Sequence, residues 1–246
     1  INYVLPFDII YRLFHRTAFW SLNLEPILSI QNLSFQYPDG KRALDGINLS
    51  IPSGEKVAIV GANGAGKSTL LLQLNGVFTG SGLIKIDGIE CTKKNLQLIR
   101  ANVGVVFQNL DDQLFSVTVY DDVAYGPRYQ GLSNEVIEQK VRAALAAVQM
   151  DDFATRNPYH LSGGEKKRAA IATVLSMDPK ILVFDEPTAG LDPRARRELI
   201  DLLEKLPQTM VIATHDLAMV AQLTSRMVVM NGGKIVKDGE PRALLK

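Results

Sequence analysis

Two segments near the start of the chain alternate between apolar and polar residues. Residues 27–35 (ILSIQNLSF) and 44–51 (LDGINLSI) follow a period of two, which predicts half-buried strands. The run YPDG at 37–40 lies between them and has strong turn chemistry. Together these segments predict an antiparallel hairpin.

The rest of the chain alternates short apolar runs with segments of helical spacing. Uninterrupted apolar runs are typical of strands that are covered on both faces. The further predicted strands lie at 56–60, 83–86, 103–107, 181–184, 210–213, 227–230 and 234–237. Because strands and helices alternate, we expect an α/β fold with a mainly parallel sheet, preceded by an N-terminal antiparallel β subdomain.

The middle of the chain has a mainly helical pattern. Residues 119–125 and 133–150 both show helical spacing, and Ser133 stands where the N-cap of the second helix is expected. The apolar side chains predicted to share one side of that helix are Val136, Val141, Leu145 and Val148. We therefore expect an inserted helical subdomain at about 111–160, within a domain that spans 27–246.

Residues 1–26 form a separate N-terminal extension. Asp8, Arg12 and His15 fall at helical spacing against a broad apolar stripe, which predicts an amphipathic helix. Such a helix lies on a membrane surface or on a partner. The alternative, which we favour because residue 1 is not Met, is an extension that arises from start-site assignment. Charges interrupt the apolar residues too often for a membrane span or a secretory signal.

Composition narrows the classes of function. The 246 residues are 46% hydrophobic, which is enough for one large domain. Lys and Arg number 27 against 26 Asp and Glu, so no global field attracts nucleic acid, and we expect no nucleic-acid partner. The single cysteine, Cys91, excludes an internal disulfide and fits a reducing cytosol.

The run GANGAGKST at 61–69 has the frame of a phosphate-binding loop. It follows a predicted strand and opens a predicted helix, which is the order that the motif requires. Glycines let backbone N–H groups approach phosphate oxygens, Lys67 reaches the outer phosphates, and the Ser68 hydroxyl holds Mg²⁺. The predicted nucleotide contacts in this run are Gly61, Asn63, Gly64, Ala65, Gly66, Lys67, Ser68 and Thr69. The core is thus predicted to be a P-loop NTPase.

Two further motifs follow in order. In LSGGEKKRAAIA at 161–172, Ser162 is a predicted N-cap, and Gly163 and Gly164 leave the first helical N–H groups open to an anion. In ILVFDEPTAGLD at 181–192, Asp185 is predicted to hold Mg²⁺ through water. Glu186 is predicted to orient or deprotonate the attacking water. Alternation along a strand would point these two carboxylates to opposite faces.

These three motifs together resemble the nucleotide-binding subunit of ATP-binding-cassette (ABC) transporters, over about residues 28–245. The resemblance implies an ATPase that uses ATP and Mg²⁺ in a head-to-tail dimer. Ser162 and Gly164 of one subunit would then contact the γ-phosphate bound by the other, with Gly163 in the same nucleotide-binding segment, and Asp192 would link the two sites.

The same resemblance implies roles for three isolated residues. Tyr37 would stack on adenine, Gln108 would contact Mg²⁺ and water, and His215 would hydrogen-bond the γ-phosphate. Each has an ordinary alternative: a turn aromatic, a loop glutamine and a core histidine. The position of each relative to the motifs favours the functional role.

The segment VFQNLDDQLFSVTVYDDVAYGP at 106–127 is similar to energy-coupling-factor importers, above all to their cobalt and nickel branch. Leu110 departs from this group, which usually has proline there. The chain ends at Lys246, without the C-terminal dimerisation extension of many vitamin-type members, so we expect a metal-ion importer rather than a vitamin importer.

The resemblance also implies partners and location. We expect a homodimer or a paired ATPase subunit, bound to an integral-membrane coupling protein and a membrane substrate-binding component. The chain would then be peripheral, on the cytoplasmic face of the cell membrane. Two alternatives remain: a soluble ATPase of DNA maintenance or translation from the same superfamily, and a nucleotide-binding switch without turnover.

Overall fold

A computed structural model describes residues 25–245 of the chain. The predicted amphipathic helix therefore falls almost wholly outside the described residues. The strands are β1 (Leu28–Gln36), β2 (Arg42–Ile51), β3 (Lys56–Val60), β4 (Ser81–Ile86), β5 (Ile89–Glu90), β6 (Val103–Val106), β7 (Ile181–Asp185), β8 (Thr209–Ala213), β9 (Arg226–Asn231) and β10 (Lys234–Gly239).

The helices lie between these strands. They are α1 (Lys67–Leu74), α2 (Leu96–Asn102), α3 (Val119–Tyr129), α4 (Asn134–Ala147), α5 (Gly163–Leu175), α6 (Pro193–Lys205), α7 (Leu217–Leu223) and α8 (Pro241–Leu244). Short 3₁₀ turns occupy Lys93–Asn95, Leu110–Asp112, Asp151–Phe153 and Pro158–His160. No helix within residues 25–245 combines the length and the apolar character needed to cross a membrane.

The N-terminal sheet is antiparallel, as predicted. Its order is β2-β1-β4-β5, and Leu28 of β1 pairs with Ile51 of β2. At the hairpin turn the N–H of Tyr37 donates to the carbonyl of Lys41 at 2.9 Å. This turn places Tyr37 beside the phosphate-binding loop.

The second sheet is mainly parallel, in the order β10-β9-β3-β8-β7-β6. Every pairing from β9 to β6 is parallel, and only β10 runs antiparallel to its neighbour. All five residues of β8 are buried, which explains its uninterrupted apolar run. Because the strands are parallel, the loops after β3, β6, β7 and β8 meet at one edge.

The helical middle of the chain is present, with one correction to its predicted apolar face. Helices α3 and α4 pack on each other and on α5. Val136 is 37% exposed, whereas Ile137, Val141 and Leu145 are buried. Residues 137, 141 and 145 repeat every four positions and so share a face, but Val136 lies well to one side of it. Ser133 occupies the N-cap position, although its side chain makes no capping hydrogen bond.

An ion pair ties α6 to the N-terminus of α7. The Asp216 carboxylate accepts from Arg196 Nε at 2.7 Å and Nη2 at 2.6 Å, and from the Thr188 hydroxyl at 3.0 Å. It also accepts from the N–H of Met219 at 3.0 Å and so caps α7. The hydrogen bond from Arg196 is the largest cause that lowers the pKa of Asp216 to about 2.

We predict that Asp216→Asn lowers the free energy of unfolding at neutral pH by about 1–3 kcal/mol, because Arg196 loses its charged partner. The folded-state pKa lies below the ordinary 3.8, so this stabilisation is complete above pH 4 and declines as the pH falls towards 2. Urea unfolding from pH 7 to pH 3 measures both effects. The control is Asp201→Asn, at an exposed position on α6, the helix that carries Arg196. A gap between wild type and variant that stays constant down to pH 3 would contradict the assignment.

Candidate active site at the carboxyl edge of the parallel sheet

A cleft of about 350 Å³ opens at the edge where the parallel strands end. It is lined by Tyr37, Lys41, Ala43, Asn63, Gly64, Gly66, Lys67, Ser68, Thr69, Gln108, Asp185, Glu186 and His215. A larger cleft of about 530 Å³ lies at the opposite edge, beside Ser53, Lys180 and Pro207, and contains none of the predicted site residues. The positions of the predicted site residues therefore identify the smaller cleft as the candidate active site.

The phosphate-binding loop needs glycine for two reasons. Gly66 caps α1 with a φ of 103°, a conformation that residues with a side chain rarely adopt. A Cβ atom on Gly66 would also lie 2.5 Å from the Ala43 carbonyl oxygen, and one on Gly61 would lie 2.3 Å from that of Met230. The loop is thus wedged between the start of β2 and the end of β9.

Lys67 is buried and folds back over the loop. Its ammonium donates to the carbonyl of Gly61 at 2.8 Å and to that of Ala62 at 3.2 Å. This arrangement holds a positive charge at the floor of the cleft, beside the first N–H groups of α1. A helix N-terminus with a lysine beside it favours a phosphate group.

Tyr37 stands at the mouth of the cleft. Its ring packs edge-on against Phe35 and Phe78, with centroids 5.2 Å and 5.7 Å away. Its hydroxyl shares a 2.8 Å hydrogen bond with the Thr69 side chain. The ring is therefore fixed in a position that borders the cleft.

Asp185 and Glu186 both line the cleft, which corrects the expectation that they point to opposite faces. Asp185 is the last residue of β7, and Glu186 has left the strand with a φ of 48°. Strand alternation does not apply to a residue in this left-handed conformation. The Glu186 N–H donates to the Ala213 carbonyl at 2.9 Å, which anchors the turn to β8.

The Glu186 carboxylate is held by the loop after β8. Its Oε2 accepts from the Thr214 hydroxyl at 3.2 Å and lies 2.9 Å from His215 Nδ1. Thr214 is fully buried, whereas the His215 side chain is 74% exposed. The buried Thr214 thus orients the Glu186 carboxylate, while the exposed imidazole of His215 faces the open cleft.

Burial raises the pKa of Asp185, and the negative charge of Glu186 adds to the effect. A hydrogen bond with Ser68 and the charges of Lys67 and Lys167 oppose it. Two neighbouring carboxylates in a cleft favour the arrival of a cation. The N-terminus of α1, Ser68 and Asp185 therefore form a donor set suited to a phosphate and a metal ion together.

The residues predicted in the LSGGE motif, which we call the signature motif and which opens the signature helix α5, lie apart from this cleft. Ser162 caps α5 in a capping box: its hydroxyl accepts from the Glu165 N–H at 3.3 Å, and the Glu165 carboxylate accepts from the Ser162 N–H at 2.8 Å. Gly163 follows in the exposed first turn. A Cβ atom on Gly164 would lie 3.0 Å from the Ala195 Cβ.

Three other predicted residues also lie outside the cleft lining. Asp192 caps α6 by accepting from the N–H groups of Arg194 and Ala195 at 2.8 Å and 3.1 Å, and these bonds lower its pKa. Gly61 and Ala65 shape the phosphate-binding loop from behind. The predicted residues thus divide between one cleft and a separate surface at the N-termini of α5 and α6.

Sequence reasoning missed several residues here. Lys41, directly after the hairpin turn, lines the cleft and adds a second cation. Lys167 on α5 is only 4% exposed, and its ammonium donates to the Gln108 carbonyl at 3.5 Å. Burial lowers its pKa, against the charges of Asp185 and Glu186. Helical spacing places Lys167 on the same face as Ala170, Ile171 and Val174, which is the signal that predicts its burial.

The donor set fits Mg²⁺ only if phosphate completes it. Within residues 25–245, no three His, Cys, Asp or Glu side chains are arranged to hold a metal ion. Mg²⁺ in nucleotide sites is usually bound by one or two carboxylates and receives its other ligands from substrate phosphates and water. Asp185, Ser68 and Gln108 meet that requirement beside the phosphate-binding loop.

Comparison with known proteins agrees with this chemistry. The ABC transporter family profile matches residues 44–189. The energy-coupling factor transporter ATP-binding protein EcfA of Methanococcus maripaludis is 47% identical over 224 residues, which cover 89% of this chain and 81% of that protein. EcfA of Carboxydothermus hydrogenoformans is 48% identical over 88% of this chain and 82% of its own length.

Solved structures share the fold. CbiO1 from Clostridium perfringens, part of the ABC transporter complex cbiONQ, superposes with a TM-score of 0.83 at 40% identity, covering 90% of this chain and 91% of that one. The ATP-binding cassette MJ0796, solved as a dimer in a post-hydrolysis state with ADP and phosphate, gives 0.78 at 28% identity, covering 87% and 99%. The chain belongs to the ABC transporter family and is an ATPase that uses ATP with Mg²⁺.

Proposed function

We propose that this ATPase powers an energy-coupling-factor importer whose cargo is a transition-metal ion, cobalt or nickel. The observation that carries this is the match to CbiO1 of the cbiONQ complex at 40% identity over nine-tenths of both chains. The EcfA relatives support the energy-coupling-factor class. A vitamin importer of the same class remains the alternative, because no residue of the ATP site contacts the cargo.

In this proposal, Glu186 is the base that orients and deprotonates the attacking water. Thr214 fixes one oxygen of its carboxylate, and His215 stands beside that oxygen, facing the space where the γ-phosphate binds. Asp185, Ser68 and Gln108 would hold Mg²⁺, which would supply positive charge to neutralise the phosphates. Tyr37 stacks on the adenine, and Lys67 and the loop N–H groups bind the phosphates, with Asn63 and Thr69 beside them.

A second cassette completes each site, either another copy of this chain or a paired ATPase subunit. Ser162, Gly163 and Gly164 lie outside the cleft of their own chain, at an exposed helix N-terminus that suits an anion. In a head-to-tail dimer they close over the partner's nucleotide, and Asp192 connects the two sites. The dimeric MJ0796 cassette supports this arrangement.

The surface beyond Gln108 is proposed to bind the membrane coupling protein. Exposed apolar side chains gather there; they are Phe115, Val117, Tyr125 and Tyr129. Phe115 and Tyr125 pack edge-on at 5.2 Å, and the buried carboxylate of Asp122 accepts from the N–H groups of Phe115 and Ser116. This rigid apolar patch suits a membrane-embedded partner, which would hold the ATPase peripherally on the cytoplasmic face.

At the start of this surface stands Leu110, where the importers that this segment resembles usually have proline. It begins the 3₁₀ turn Leu110–Asp112, and its carbonyl accepts from the N–H groups of Gln113 and Leu114 at 3.0 Å and 2.9 Å. Proline also suits the first position of such a turn. The departure therefore leaves the proposed coupling surface intact.

We predict that Glu186→Gln lowers kcat at least about 100-fold, because the amide cannot take the proton of the attacking water. The affinity for ATP stays within about twofold, since the phosphate contacts remain. Steady-state hydrolysis and binding of a fluorescent ATP analogue by the full chain measure the two effects. The exposed Glu204→Gln on α6 is the charge-matched control. Wild-type turnover in Glu186→Gln would remove Glu186 from this role.

Uptake by cells that express this chain with its membrane partners tests the proposed cargo. We predict ATP-dependent accumulation of radioactive cobalt or nickel that excess unlabelled vitamin does not reduce. Phe115→Ser is expected to abolish uptake and co-purification of the membrane partners, while the isolated chain keeps its ATPase activity, because Phe115 is not among the residues that line the ATP cleft. Val236→Ser on β10, with a similarly exposed apolar side chain, serves as the control.

Vitamin uptake without metal uptake would replace the proposed cargo by the alternative. Full assembly and transport by Phe115→Ser would show that the coupling protein binds elsewhere. Isolation of the active ATPase from native membranes without any integral-membrane partner would contradict the importer function itself.

A further inference from the structure

Helix α5 carries a buried lysine that the proposed hydrolysis chemistry does not use. Lys167 is 4% exposed and lies five residues after Ser162, about 7.5 Å along the helix axis. The N-terminus of α5 lies outside the cleft of its own chain, whereas the buried Lys167 reaches the carbonyl of Gln108, a residue of the cleft lining. One rigid helix therefore carries the proposed contact to the partner's nucleotide and a cation directed at its own site.

Two side chains fasten α5 to the segment around Gln108. The ammonium of Lys167 donates to the Gln108 carbonyl at 3.5 Å. The amide of Gln113 donates to the Ala170 carbonyl at 3.0 Å and to the Thr173 hydroxyl at 2.8 Å. The amide oxygen of Gln113 also accepts from the N–H of Phe107 at 3.1 Å. Both sides of Gln108 are thus fixed to the signature helix.

Burial lowers the pKa of Lys167, and the charges of Asp185 and Glu186 oppose that shift. The charge of Lys167 likewise opposes the burial that raises the pKa of Asp185. The adjacent Lys166 instead pairs with the exposed Asp111 at 2.9 Å, an interaction that contributes little in water. Packing alone does not call for a buried lysine, because an apolar side chain of similar volume fills such a site at lower cost.

We propose that Lys167 is a positioning residue that couples the two ATP sites of the dimer. It ties the helix that is proposed to contact the partner's nucleotide to Gln108 of its own chain, and Gln113 supports the same connection. The inference rests on the proposed two-cassette site. When the N-terminus of α5 engages the partner's γ-phosphate, a shift of the helix is transmitted through Lys167 to Gln108, which lines the cleft together with Asp185 and Glu186.

The test compares the full-length wild type with Lys167→Met, Lys167→Arg and the exposed control Lys205→Met on α6. Each is assayed for binding of a fluorescent ATP analogue and for the ATP dependence of hydrolysis with Mg²⁺. We expect a Hill coefficient above 1 for the wild type and for Lys205→Met. Lys167→Met is expected to lose about tenfold or more in kcat, with a Hill coefficient near 1 and analogue affinity within about twofold. Lys167→Arg, which keeps the charge, restores part of the rate and of the cooperativity.

A folded Lys167→Met protein with wild-type kcat and Hill coefficient overturns the inference alone. Loss of analogue affinity in proportion to kcat also overturns it, because that pattern indicates general damage to the cleft. Should Lys167→Met fail to fold, Gln113→Leu decides the question by the same two readouts, since it breaks the second connection and leaves Lys167 in place. A wild-type chain that binds ATP without hydrolysing it, both alone and in the complex with its paired ATPase subunit and membrane partners, contradicts the proposed function itself.

Discussion

Parallel pairing of β6, β7, β8 and β3 sends four strand ends to one edge of a single sheet, and the active site depends on that register. Gln108 follows β6, Asp185 and Glu186 end β7, His215 follows β8, and the phosphate-binding loop follows β3. These groups are far apart in sequence, and the shared register of the strands brings them into one cleft. Burial of the apolar strands supplies the free energy that stabilises this edge of the sheet. The charged groups at the edge are therefore available to bind ligands.

The charges at that edge are arranged to receive a nucleotide. Lys67 is held by loop carbonyls, and Asp185 is buried beside a second carboxylate, so each has an environment that favours a ligand of opposite charge. Glu186 is positioned by a buried hydroxyl from the neighbouring strand end. The groups that would close the site from above, Ser162, Gly163 and Gly164, lie elsewhere on the same chain. A single subunit thus carries the cleft and, apart from it, the segment that is proposed to close over the cleft of a second cassette.

Sequence patterns predicted the hairpin, the parallel sheet and most of the cleft lining, because phosphate-binding loops and buried strands have local signatures. They failed where geometry is set by the neighbouring strand or by the opposite side of a helix. The turn at Glu186 adopts a φ of 48° that strand alternation did not anticipate, and its anchor is the carbonyl of Ala213 on β8. Lys167 and Gln113 resemble ordinary polar residues in the sequence, and only tertiary packing shows that they join α5 to Gln108. Val136 shows the reverse error, an apolar residue that lies off the buried face.

Complementation between two inactive variants tests the shared site most directly. Lys67→Ala disables the phosphate-binding loop, and Gly164→Asp places a negative charge where the partner's γ-phosphate is proposed to bind. In a mixed dimer of the two, one site carries both defects and the other carries neither. If the wild-type chain hydrolyses ATP by itself, the account predicts that mixing the inactive variants restores up to about a quarter of its activity, since about half of the dimers are mixed and each has one intact site. No activity above that of the separate variants, with mixed dimers demonstrated, would contradict a site shared between two subunits.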